Sequence, residues 1–168
     1  MHVDTEQNYI LLYLQYTKDL LRDPIVDSMK TYRHHRETST HYHSVYVSYC
    51  VLKLCIRLGV PDAKSVVRAA LLHDFYLYEW YTEKHDENHI FYHPKASVKN
   101  IENHFGALSP MQRNMILSHM FPLCREMPQS PGAWLLTAAD KRCAGEDYLH
   151  TSNRFRAVYD EINRRAVL

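Results

Sequence analysis

A chain of 168 residues and 19.9 kDa has room for one compact domain with a substantial core, not for two. Only 4 glycines and a hydrophobic fraction of 46% argue against a turn-dense β-sandwich or barrel and against a disordered chain, so an all-α globule is expected. With 20 Lys and Arg against 19 Asp and Glu, the net charge of +1 offers neither an extended nucleic-acid surface nor a basic membrane face, and any phosphate contact must be local.

Helical spacing of Ile10, Leu11, Leu14 and Leu21 predicts a first helix over about 4–22, stopped by Pro24. A polar stretch over 31–42 follows, in which Arg33, His34, His35 and Arg36 read as a solvated run, with a phosphate-facing loop as the less favoured alternative. It leads into a long helix over about 40–58 that ends at Gly59, a residue suited to the left-handed conformation past a helix C-terminus. Pro61-Asp62 opens the next helix, and residues 64–73 are apolar on nearly every side, as expected of a helix at the centre of a bundle.

After a loop over 75–93, Pro94 is expected as the first residue of a helix that runs to Phe105. Ser109-Pro110-Met111-Gln112 has the form of a capping box and starts a helix ending near Met120. Ser130-Pro131 starts another through about Cys143, and a last amphipathic helix covers about 146–164. The expectation is a single domain over 1–168, a bundle of about seven helices with no strand. Neither a signal peptide nor an apolar run approaching roughly 18 residues is read, which predicts a cytoplasmic protein. Cys50, Cys55, Cys124 and Cys143 form no CxxC pair and read as reduced, mostly core cysteines.

Twelve histidines are the compositional anomaly, and several fall on faces that should be core. Asp140 lies within the stripe Ala133, Leu136, Thr137, Cys143, where an unpaired carboxylate would cost several kcal/mol. His119 shares the face of Met115 and Ile116, and His73-Asp74 closes the apolar helix, where a carboxylate opposes the helix dipole. Along residues 40–58, His41 and His43 each belong to a comparable apolar stripe, and periodicity does not choose between them. A lone histidine on an apolar face is more often a satisfied core residue than a ligand. Several inward-pointing histidines and aspartates together are explained more economically by one metal site.

These residues resemble the HD superfamily of metal-dependent phosphohydrolases: a helix-borne histidine, a His-Asp doublet and a distant aspartate. His43-Ser44, Leu58-Gly59 and Ala69-Ala70-Leu71-Leu72-His73-Asp74 carry the first part, and this resemblance selects His43 over His41. His93-Pro94 and His119 are the two additional histidines that in the superfamily mark members with two metals, and Asp140-Lys141 supplies the last aspartate. The flanks over Arg68 to Trp80, His89 to Lys95 and His119 to Leu123 are similar to a small bacterial HD-domain family of unassigned substrate, over roughly residues 40–145. That family has Gly where Ala69 stands and His-Gly-Phe where His89-Ile90-Phe91 stands, departures that spare every ligand position.

The resemblance implies one ion on His43, His73, Asp74 and Asp140 and a second on His93 and His119, with Asp74 bridging. Imidazole and carboxylate donors suit Fe, Mn, Zn, Ni or Co equally. It further implies hydrolysis of a small phosphoester, such as a nucleotide, by a metal-activated bridging hydroxide, with Asp74 and Asp140 as the catalytic carboxylates. His89, four residues before His93, Lys95 at the expected helix start, and Lys141 beside Asp140 are the candidates for substrate contact; Lys141 projects about 100° away from Asp140. Glu79 reads as a carboxylate near the site or on the surface, and the aromatics of 75–81 as core or as a wall for a ring-bearing substrate. The same ligand order also serves mixed-valence di-iron oxygenases of the superfamily, and a noncatalytic nucleotide-binding module is the third alternative. The exposed part of the last helix offers a face for a homodimer.

Overall fold

A computed structural model describes residues 5–35, 38–149 and 153–168. Arg36 and the expected first residue of the first helix, Asp4, lie outside the described residues. Helix α1 (Glu6–Leu21) is capped by Thr5, whose side chain accepts from Asn8 N. A short helix α2 (Pro24–Asp27) and a 3-10 turn (Ser28–Lys30) follow. Strands β1 (Arg33–His35) and β2 (Thr38–Ser39) pair antiparallel, a small element that the all-helical reading omitted. Its segments of three and two residues are too short to show an alternating pattern.

Helix α3 (Thr40–Leu58) starts at Ser39, whose hydroxyl accepts from Tyr42 N, and stops at Gly59 with φ 63°, the left-handed position expected there. Helix α4 (Ala63–Leu71) ends before the His73-Asp74 doublet, which occupies the turn beyond it rather than the helix itself. Arg68 leaves the core side of α4 and holds Asp19 of α1 through two N–H···O contacts of 2.6 and 2.8 Å.

Helix α5 (His89–Phe105) begins a turn earlier than Pro94 implied. The Asn88 side chain accepts from Ile90 N at 3.0 Å and its carbonyl from Phe91 and Tyr92, so a complete cap precedes the proline. Helix α6 (Pro110–Ser118) has the anticipated capping box. Helix α7 (Pro131–Tyr148) continues beyond Cys143 through Gly145 with no break at 144–145, because one helical glycine costs only about 1 kcal/mol, and α8 covers Asn153–Ala166.

At the centre α3 packs against both α4 and α7, with α6 joining α4 to α7 and α5 packed on α6. Gly132 permits the close approach of α7 to α4: a Cβ there would stand 2.9 Å from Val66 Cγ2. Val47, Val51, Leu52, Val66, Leu71, Ile116 and Leu136 are fully buried between these helices. No helix among the described residues is long and apolar enough to cross a membrane. The four cysteines are free.

Candidate metal centre

Five elements converge on one buried polar cluster. The first turn of α3 supplies His43, the turn after α4 supplies His73 and Asp74, α5 supplies His93, the C-terminus of α6 supplies His119, and the middle of α7 supplies Asp140. All six lie in the interior, with Asp140 the most exposed at 7%. Asn100 of α5 fixes the backbone after the doublet, its amide donating to the carbonyls of Phe75 and Tyr76 at 3.1 and 2.9 Å.

Three of the histidines are oriented in the same way. His73 Nδ1–H donates to Ala70 O at 2.8 Å, His93 Nδ1–H to His89 O at 2.7 Å, and His119 Nδ1–H to Ile116 O at 2.7 Å. A carbonyl can only accept, so each Nδ1 carries its proton and each Nε2 points a lone pair at the cluster when the ring is neutral. His43 is held instead by carboxylates, Nδ1 at 3.2 Å from Asp147 Oδ2 and Nε2 at 3.0 Å from Asp140 Oδ1. His41, its rival by periodicity, turns elsewhere: Nδ1 meets Tyr159 OH at 2.9 Å, and burial pushes its pKa down to about 4.

The donors are spaced as ligands are. His73 Nε2 lies 3.5 Å from both Asp74 Oδ2 and Asp140 Oδ1, while His93 and His119 Nε2 lie 3.4 and 3.6 Å from Asp74 Oδ1. Two donors sharing an ion at about 2.0–2.2 Å stand about 2.8–3.6 Å apart at octahedral to tetrahedral angles. Among the described residues, His43, His73 and Asp140 form one group with donor atoms within 4.8 Å, and His73, Asp74 and His119 form another. His73 Nε2 and Asp74 Oδ1 are buried without a hydrogen-bond partner, a cost that a cation would remove.

The contact between His93 and His119 is the sharpest mismatch without a cation. Their Nε2 atoms are 2.8 Å apart. Burial pushes the pKa of His93 down to about 3 and that of His119 down as well, so both rings are neutral near pH 7 and two lone pairs face each other. A divalent ion bound there would replace this repulsion with coordination. Elsewhere in the cluster carboxylates prevail: burial opposes charge on His43, yet its bonds to Asp140 and Asp147 raise it to about 10. Burial likewise opposes the Asp74 carboxylate, and the surrounding His73, His93, His34 and His119 more than reverse this, holding it below the usual range.

Of the three candidates for substrate contact, His89 reaches the cluster. Its ring stacks on His93 at 4.6 Å and on Trp80 at 4.7 Å, with Nδ1 2.8 Å from Tyr78 OH. Lys141 Nζ donates to His119 O at 3.1 Å, beside the site through the backbone. Lys95 does not stand at a helix start, because α5 begins at His89; it is exposed and paired with Glu87 at 2.7 Å. It borders a groove of 790 Å³ that none of the six cluster residues line.

Two residues were missed in the sequence. Asp147, which orients His43, was placed in a separate last helix, and only the uninterrupted α7 brings it seven residues beyond Asp140 on the same side. His34, expected within a solvated run, is only 9% exposed, with Nδ1 3.5 Å from Asp74 Oδ2.

A family model for the HD domain matches residues 40–145. The chain belongs to the HD-domain family. The matched segment carries all six cluster residues, from His43 in α3 to Asp140 in α7, and leaves α1, the hairpin and α8 outside. HD domains bind divalent metals, and the buried His/Asp groups of this chain fit that use. No curated protein and no solved structure matches the chain.

Proposed function

We propose that this HD domain is a metal-dependent phosphohydrolase that cleaves a small phosphoester, such as a nucleotide, at two divalent ions. His43, His73, Asp74 and Asp140 would hold one ion, and His93, His119 and Asp74 the other. The observation that supports this reading most is the split of the Asp74 carboxylate. Its Oδ2 faces His73 at 3.5 Å and its Oδ1 faces His93 and His119 at 3.4 and 3.6 Å. A carboxylate divided between two sets of imidazoles is the donor arrangement of a bridging ligand.

When bound, such ions lower the pKa of water and offset charge on phosphoryl oxygens. The chain's own residues do the positioning. The carbonyls of Ala70, His89 and Ile116 keep Nδ1 of His73, His93 and His119 protonated, so Nε2 is available as a donor. Asp147 accepts a hydrogen bond from His43 Nδ1–H in the same way, and the outer carboxylate strengthens the inner imidazole as a base. Asp140, ionised and held by His43 at 3.0 Å, orients the attacking water through its carboxylate. His89, stacked on His93, is the candidate to meet the substrate at the second ion.

Protein purified without oxygen, stripped with a chelator and reloaded separately with Fe, Mn, Zn, Ni and Co is to be screened for phosphate release from nucleotides and other small phosphoesters. Release that depends on metal and is lost in His73→Ala is expected. Tightly held iron with no phosphate release under any metal would overturn the hydrolase in favour of the oxygenase reading.

A further inference from the structure

His34 lies outside the matched HD segment and outside the six proposed ligands, yet its side chain enters the cluster from strand β1. Its Nδ1 stands 3.5 Å from Asp74 Oδ2, the same distance that separates His73 Nε2 from that oxygen. Its ring stacks on His43 with centroids 3.8 Å apart and planes at 24°. His34, His43 and Asp74 offer donor atoms within 4.8 Å of one another, a third group of ligand geometry in the same cluster.

The hairpin is built to hold that histidine in place. The carbonyl of His34 accepts from Trp80 Nε1 at 3.2 Å and from Tyr81 OH at 3.3 Å, and Arg33 N donates to Glu79 Oε2 at 3.4 Å. At its base, Thr40 N donates to Tyr32 O at 2.9 Å and Thr40 Oγ1 meets Tyr76 OH at 3.0 Å, tying the strand to the first turn of α3. The aromatic segment after the doublet therefore fixes the backbone of His34 from one side and α3 fixes it from the other. A solvated histidine needs no such anchoring, and the anchored ring aims a nitrogen at the same carboxylate oxygen that His73 faces.

We propose that His34 is an additional metal ligand, delivered by the β1–β2 hairpin to the Asp74 Oδ2 side of the centre beside His43 and His73. The assignment rests on the metal-centre reading but not on the reaction catalysed there. It makes the hairpin and the 79–81 segment part of the metal site and gives that side of the centre one more nitrogen donor than the other.

The test is a cobalt(II) titration of the chelator-treated full chain, reading affinity by competition, stoichiometry, and the visible absorption of the bound ion. Wild type is compared with His34→Ala, with His34→Phe, which keeps a ring for stacking but has no donor, and with His43→Ala as a control for the site itself. For both His34 variants we expect affinity at one ion to fall about tenfold to a hundredfold, as when a metal site loses a supporting group, with stronger absorption as the coordination number drops. Free imidazole added to His34→Ala is expected to restore the wild-type spectrum. His34→Phe with the wild-type affinity and spectrum would overturn the assignment. So would unchanged spectra in folded His34→Ala. If wild type binds cobalt but cleaves no phosphoester, only the proposed reaction falls; if wild type binds no cobalt, the metal centre and this ligand fall together.

Discussion

At one end of the buried cluster His43 and His73 face Asp140, with Asp147 behind His43; at the other, His93 and His119 face each other and share only Asp74. The first end carries opposite charges in contact, since a protonated His43 lies between two carboxylates. The second keeps its imidazoles neutral and turns two lone pairs together. The two halves of the cluster thus differ: one holds a charged His43 between carboxylates, and the other brings two neutral rings together. If the proposed ions bind, they would displace a proton at the first end and remove the repulsion at the second.

The largest effect is expected where the two ends meet. Asp74→Ala removes the one carboxylate common to both and leaves each set of donors without its counter-charge, a change of about 3–5 kcal/mol for a broken buried pair. Loss of all bound metal and of any hydrolytic activity is expected, by elemental analysis and phosphate release. Retention of one full ion in this variant would show that the ends do not share Asp74.

In the metal-free protein the ends should respond to pH with opposite sign. His43 is raised from 6.5 to about 10, so its contribution to stability is complete below about 6.5 and is lost as pH rises toward 10. His93 is lowered from 6.5 to about 3, so the unfolded chain binds a proton that the folded chain refuses, and stability falls as pH drops from 6.5 toward 3. Urea midpoints across this range should be flattened on the alkaline side by His43→Gln and on the acid side by His93→Gln. Identical profiles in the two variants would erase the distinction.

A smaller effect belongs to the residue behind the first end. Asp147→Asn keeps all six proposed ligands but weakens the acceptor of the His43 Nδ1 proton, and metal affinity at one ion should fall about tenfold to a hundredfold in chelator competition. The smallest is Lys95→Ala, which breaks an exposed pair with Glu87 worth about 0–1 kcal/mol and should leave both melting temperature and metal content nearly unchanged. A large loss of metal in Lys95→Ala would place it in the centre after all.

Residues that the sequence made legible were those whose local signals agree with their tertiary role. Gly59, the capping box at Ser109, and Ser130-Pro131 mark helix ends at the positions observed, and Asp140 stands out because it interrupts an apolar stripe. His43 required the resemblance, since His41 is as deeply buried and differs only in its partner, Tyr159. Asp147 was hidden by a glycine that does not end its helix, and the start of α5 by a proline that sits inside it. His34 was hidden more thoroughly. A strand of three residues, Arg33–His35, has no periodicity to reveal burial, and the side chains that hold the His34 carbonyl, Trp80 and Tyr81, come from some 46 residues away.

The most direct test of the account is an anomalous difference map collected at the absorption edge of the bound metal. The account predicts two peaks about 3.5–4 Å apart on either side of Asp74, one near His43, His73 and Asp140 and the other near His93 and His119. A single peak, or metal bound away from Asp74, would contradict it.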